Sequence, residues 1–185
     1  MDARRADLRA LPKSDKIPLT NKKYFVFSLA AILSLALDQW SKVWARANLA
    51  TGDRVIIPGY FDLTLAQNKG MAFSLLHNLP FGRYFLLIVA IVMLPVIFAI
   101  ERKTDIRRVR MHVELGLIFG GALGKVVDRG LFGSVTDFIV WKVQNHQWPT
   151  FNIADAALVI GVIGLALEPQ PRCASRHPGA GRAQL

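Results

Sequence analysis

Four apolar blocks, at residues 24–44, 81–100, 111–131 and 151–167, constrain this chain more than any other feature. Each approaches the roughly 20 residues that a helix needs to cross the hydrocarbon core of a bilayer. Lipid offers the backbone no hydrogen bonds, so a crossing segment closes its own bonds as an α-helix. Composition agrees. Hydrophobic residues make up 52% of the 185-residue chain and charged residues 19%, less charge than a soluble domain of this size carries. The expectation is an all-α membrane protein with four transmembrane helices in one domain, residues 24–168.

The blocks differ in character. Tyr24 to Leu37 carries no charge, and Trp40 and Trp44 follow where an interfacial aromatic belt would lie. This block is too long for the apolar core of a signal peptide, and no small-residue cleavage pattern follows it, so it is expected to be retained. Pro95 is expected to kink the second helix. The third block is rich in small residues, and Gly116 and Gly120 have the GxxxG spacing that lets helices approach closely. The run from Gly120 to Gly124 is therefore read as a packing face and not as a nucleotide-binding loop. The fourth block is short and includes Gly161 and Gly164.

Between the first two blocks the pattern changes. Val55 to Leu65 has β-branched and aromatic residues broken by Pro58 and Gly59, which reads as short strands and turns in a small cap on the outer surface. Residues 1–23 hold seven Lys or Arg, three Asp and two prolines without periodicity, and are expected to form a disordered cytoplasmic extension. Residues 169–185 read as a loose tail. Cys173 is the single cysteine, so no intramolecular disulfide can form.

The net charge of +10 does not mark a nucleic-acid-binding protein. The cations cluster beside the apolar blocks and form no stripe interleaved with aromatics. Residues 1–23, 101–110 and the tail carry 7, 5 and 3 Lys or Arg, against 8 elsewhere. By the positive-inside rule those three segments are cytoplasmic, which puts both termini inside.

In that topology Asp38, Lys42, Asp128, Arg129, Asp137 and Asp155 all fall near the non-cytoplasmic ends of spans, as though four helices delivered acids to one level. An ionisable group at the centre of a membrane helix costs about 2.5–3.5 kcal/mol or more, so such residues persist where something uses them. For any one of them alone, a structural reading is preferred: a headgroup-layer position, or an ion pair such as Asp38 with Lys42 or Asp128 with Arg129. Asp137 and Asp155 differ. Each has apolar neighbours and no basic residue within three positions. Two carboxylates meeting in a water-poor pocket cannot both ionise easily. One proton shared between them supplies an acid and a base, enough to activate water and polarise a peptide carbonyl. Ser–His and Cys–His arrangements are excluded by position. His112 is at the cytoplasmic end, His177 and Cys173 are in the tail, and His77 and His146 lie in polar loops without metal-ligand spacing.

Five ordered blocks carry a resemblance. They are Asp38–Lys42, Asn68–Ser74, Gly120–Arg129, Val135–Phe138 and Phe151–Asp155. Together they resemble the signature blocks of the bacterial lipoprotein signal peptidases, the signal peptidase II family, over about residues 24–167. The resemblance implies an aspartic endopeptidase of the bacterial inner membrane. It would cut diacylglyceryl-modified prolipoproteins on the N-terminal side of the lipidated cysteine. It implies Asp137 and Asp155 as the catalytic pair, with Asp38, Lys42, Asn68, Gly70, Asp128, Arg129, Asn152 and Ala154 supporting the site or binding substrate. Asn68 and Arg129 are expected to hold the substrate backbone. A monomer is expected, with no metal or cofactor, whose partners are prolipoproteins and membrane lipids. The active site would lie near the periplasmic face, under a small β cradle, with a short amphipathic helix at about residues 138–147.

The chain departs from the family at Lys125, where Asn is usual. An amide that both donates and accepts becomes a cation that only donates. Facing the two carboxyls, Lys125 would favour their charged forms; snorkelling outward, it would change little. Two other functions stay open on sequence: a non-catalytic lipopeptide-binding membrane protein, motivated by Lys125, and a small transporter subunit with an acid relay.

Overall fold

The structure, a computed structural model, describes residues 19–69, 82–143 and 146–168. Gly70 and the rest of its block to Ser74, His77, most of the N-terminal extension and the tail with Cys173 lie outside the described residues.

Helices occupy the four apolar blocks: α1 Leu19–Asn48, α2 Gly82–Lys103, α3 Val109–Phe132 and α4 Ile153–Leu167. By length and apolar composition α1 and α2 can each cross a membrane, and α4 is a shorter apolar helix. The helix α1 runs past both expected ends of its block. Polar residues at its ends continue the i→i−4 ladder, and hydropathy does not mark where that ladder stops. The α2 helix continues through Pro95.

The packing is inside-out relative to a soluble protein. Phe85, Ile88, Val92 and Val96 on α2 and Ile32, Leu33 and Leu37 on α1 are exposed, while Asp38, Lys42 and Asp128 are fully buried. Apolar faces without a protein partner fit a lipid surround. The small-residue face of α3 performs the expected task. A Cβ on Gly116 would stand 2.5 Å from Phe27 O, and one on Gly120 would strike Ala31 O, so α1 and α3 touch backbone to backbone. On its other side, a Cβ on Gly121 would meet Ala154 O at 2.8 Å, which sets how closely α4 approaches. Phe27, Ile97 and Leu115 knit α1, α2 and α3 together at the inner end, below a buried His112 Nδ1–Glu101 Oε2 contact of 2.9 Å.

A four-stranded antiparallel sheet caps the other end, in the order β1 Arg54–Ile57, β2 Phe61–Asn68, β3 Val135–Val143 and β4 His146–Gln147. The expected strands within Val55–Leu65 are present and turn at Gly59, whose φ of 81° suits a residue without a Cβ. The expected amphipathic helix at 138–147 is not found among the described residues, where 138–143 belong to β3 and 146–147 form β4. The run from Val135 to Val140 is β-rich, and its backbone pairs with β2 on one edge, while Ile139 bridges to Phe151 on the other. Phe138 packs with Ala45 of α1 and with Leu49 just past its end, which fixes the sheet to the helices. Register then matters for function, since Ala66 stands opposite Asp137 and Asn68 opposite Val135.

Candidate active site

A buried ionic triad founds the site. Lys42 Nζ lies 2.7 Å from Asp38 Oδ2 and 3.0 Å from Asp128 Oδ2, with all three side chains inaccessible to solvent. Buried charges must be paired and hydrogen-bonded to be tolerated, and these are. Gln39 Nε2 adds bonds of 3.1 Å to both Asp38 Oδ2 and Asp128 Oδ1. The remaining acceptor capacity is turned on the backbone. Asp128 Oδ2 accepts from Thr136 N at 3.0 Å, and Asp38 Oδ1 accepts from Ala154 N at 2.9 Å. Thr136 and Ala154 are the residues immediately before Asp137 and Asp155. One ionic cluster therefore fixes the chain just ahead of each candidate catalytic acid. A Cβ on Gly124 would collide with Asp38 Oδ2, so that glycine keeps the space the cluster needs.

Asn152 joins the two acids. As the N-cap of α4 its side chain accepts from Asp155 N at 3.0 Å, and its own N–H donates to Asp155 Oδ2 at 3.3 Å, a reciprocal capping box. Its oxygen being committed to the helix, its amide nitrogen turns outward. Nδ2 donates to Asp137 Oδ1 at 2.5 Å and to Thr136 O at 3.3 Å. Asn68 Nδ2 reaches the other Asp137 oxygen, Oδ2, at 3.0 Å.

The two carboxyls sit in unlike surroundings. Asp137 is 2% exposed. Burial raises its carboxyl above the ordinary carboxylate range. The Asn68 amide opposes that rise, the nearby Asp155 charge adds to it, and Lys125 and Asn152 oppose it. Asp155 keeps 35% of its side chain exposed and forms an ion pair with Lys125, Nζ to Oδ1 2.7 Å. Lys125 thus faces the acids and does not snorkel away. Arg129 lies close enough to interact with Asp137, Asp155 and Asp128. Its Nε is buried and makes no hydrogen bond among the described residues. It lines a cavity of about 280 Å³ with Tyr84 and Leu87 of α2.

Asp38, Lys42, Asn68, Asp128, Arg129, Asp137, Asn152, Ala154 and Asp155 are therefore brought to one end of the bundle. The delivery differs from expectation in two respects. Asp137 arrives on the strand β3 and not on a span end, and α2 brings no acid. Gln39, Thr136 and Arg46 were not singled out from sequence. Arg46 Nη1 donates to Thr136 Oγ1 at 2.9 Å and its guanidinium covers the Phe132 ring at 4.4 Å. Gln39, a polar residue among apolar ones beside Asp38, carried a usable signal. Thr136 carried one only through its place beside Asp137.

A helical bundle with apolar outer faces, a capping sheet and buried acids at one end has the architecture of a membrane enzyme. Two solved bacterial membrane enzymes share it. One, determined in meso at 1.9 Å, aligns with TM-score 0.66 and 31% identity over 75% of this chain and 88% of its own. The other, determined at 2.3 Å, gives 0.64 and 32% over 74% and 82%. In sequence the chain matches the signal peptidase (SPase) II family over residues 30–169 and belongs to that family. It is 38% identical to a lipoprotein signal peptidase of Geobacter metallireducens, over 78% of this chain and 90% of that protein. It is 35% identical to one of Xanthomonas euvesicatoria, over 80% and 87%.

Proposed function

We propose that this protein removes the signal peptide from prolipoproteins, with Asp137 and Asp155 as a catalytic aspartate pair. The observation that carries the reading is the pair's attachment to Asn152, which engages both acids through one side chain and its own N–H. The signal peptidase II family and its lipoprotein signal peptidases support the substrate class, prolipoproteins. The resemblance of the five signature blocks implies a cysteine already bearing diacylglycerol and a cut before it. The four helices cross the bacterial inner membrane, both termini are cytoplasmic, and the sheet lies on the periplasmic side. The clustering of Lys and Arg in the inner segments supports that orientation.

The unlike surroundings support a division of roles. Asp155, facing the Lys125 ammonium and partly exposed, is the charged base. Asp137, buried, holds the proton. Water attacks the scissile carbonyl and gives a proton to Asp155, while Asp137 gives its proton to the carbonyl oxygen. The tetrahedral diol then collapses. Asp155 returns its proton to the leaving nitrogen, and a diol hydroxyl restores that of Asp137. Arg129 and Asn68 hold the substrate backbone.

The test is the gel shift of a lipidated prolipoprotein in cells that depend on this enzyme. Asp137→Asn and Asp155→Asn should each leave unprocessed precursor while the protein accumulates normally in the membrane. Normal processing by either variant refutes the pairing. The Lys125–Asp155 ion pair favours one second reading, a lipopeptide-binding protein that does not cut. That reading requires the wild type to retain substrate and release no product.

A further inference from the structure

The cytoplasmic half of the bundle carries a feature that peptide cleavage does not use. Lys22 and Lys23 of α1 and Arg107, in the turn before α3, line a cavity of about 410 Å³ whose other walls include Val26, Ile106 and Val109. None of the three cations forms an ion pair among the described residues. Lys23 Nζ is held by the carbonyls of Arg102 and Thr104, at 3.1 and 3.4 Å, which orient it and leave its charge unneutralised. Of the two acids nearby, Glu101 contacts His112, and Asp105 accepts from the backbone N–H of Arg107 at 2.8 Å without pairing with its guanidinium.

A second cavity of about 450 Å³ shares the lining residue Val26 with the first. It is lined almost wholly by apolar side chains. Its floor follows one stripe of α1 from Val26 through Leu33 to Leu37, walled by Val113 and Leu117 of α3 and farther out by Ile160 of α4. From Val26 to Leu37 the helix rises about 16 Å, and half of a ~30 Å hydrocarbon core is about 15 Å. A basic mouth at the inner surface thus opens into an apolar groove one leaflet deep.

The geometry points to a binding site for one anionic phospholipid of the inner leaflet, its phosphate among Lys22, Lys23 and Arg107 and an acyl chain along α1. Charge complementarity chooses the class of headgroup, and the shared Val26 joins headgroup and chain into one occupant. The inference rests on the transmembrane orientation proposed above and is independent of the aspartate pair. The groove's α4 wall runs from Ile153 and Ala156 to Ile160, a face turned about 100–160° from Asp155, and its basic mouth lies at the opposite end of α1.

Native mass spectrometry of the purified full chain, with added phosphatidylglycerol or phosphatidylcholine of matched chains, tests it. Each cation near the surface is worth about fivefold in binding an anionic lipid, so phosphatidylglycerol should bind roughly tenfold or more tightly. Lys22→Gln with Arg107→Gln should bring the two lipids to near parity. Both are exposed positions whose side chains make no hydrogen bond or ion pair among the described residues. Ala30→Trp, which plugs the groove, should weaken both lipids. Equal binding of the two lipids by the wild type overturns the proposal. So does selectivity that survives the double glutamine variant, or displacement of the lipid by millimolar inorganic phosphate alone. Lipid binding that appears only after deletion of residues 1–18 would make the chain's own extension the occupant and would equally refute it. Protease access to the N-terminal extension in inverted but not in right-side-out vesicles checks the orientation's premise separately from lipid choice.

Discussion

Asn152 Nδ2 donates to Asp137 Oδ1 at 2.5 Å while the oxygen of the same side chain caps the helix that begins two residues before Asp155. One amide thereby combines a helix-starting task with alignment of two acids from different elements. The tasks can be separated. Asn152→Ser keeps a cap acceptor and loses the amide donor. The cap accounts for about 0.5–2 kcal/mol, so serine should leave thermal stability close to wild type while alanine lowers it. Cleavage should fall at least about tenfold in both, since neither holds Asp137. Thermal melts beside initial rates check this, and full activity in Asn152→Ser would refute the aligning role.

Lys42 is the only cation in the triad with Asp38 and Asp128. Lys42→Met would leave two buried carboxylates facing each other without the cation that contacts both, Arg129 remaining near Asp128 alone of the two. Breaking a buried pair in this way costs about 3–5 kcal/mol. The expected result is a large drop in melting temperature and poor accumulation in the membrane. Stability within a degree or two of wild type would show that the acids in this cluster are not both charged.

Much of the frame was legible in the chain. Apolar blocks mark helices because lipid removes the alternatives, and the glycines of α3 mark its packing face because only they admit backbone contact. The strand β3 was missed for a physical reason. Only Phe138–Val140 is apolar on successive residues, Thr136 and Asp137 precede it, and no period-two alternation shows; its strand character comes from pairing with β2, whose sequence lies some 70 residues away. The acids at the site were legible as costly residues in apolar settings. Their supports were not. Nothing local announces that Asp38 bonds to Ala154 N, 116 residues on, or that Lys125 reaches Asp155.

Lys125→Asn should retain or raise cleavage. Its ammonium opposes the upward shift of the Asp137 carboxyl. Removing the cation therefore lets that carboxyl rise further and stay protonated to higher pH. The alkaline limb of kcat/KM, read as loss of the Asp137 proton, should move to higher pH. A clear loss of activity, or a limb moving to lower pH, would contradict the assigned roles.

Gly120 has no room for a side chain against Ala31 O. Gly120→Val should separate α1 from α3, destabilising the protein by about 1–3 kcal/mol. The triad spans the same two helices, so activity should fall with stability. Gly130, with open space around its Cβ position, should accept alanine without loss. Equal melting temperatures for Gly120→Val and wild type would refute the backbone contact.

The central claim is that Asp137 and Asp155 together perform the hydrolysis. Its most direct test is cleavage of a purified diacylglyceryl-modified prolipoprotein by purified enzyme, with products weighed by mass spectrometry. The wild type should release a signal peptide ending just before the lipidated cysteine. Asp137→Asn and Asp155→Asn should each be slower by about 10²–10⁴-fold, the usual worth of a positioned acid or base, while still binding substrate. Cleavage at wild-type rate by either variant would contradict the claim.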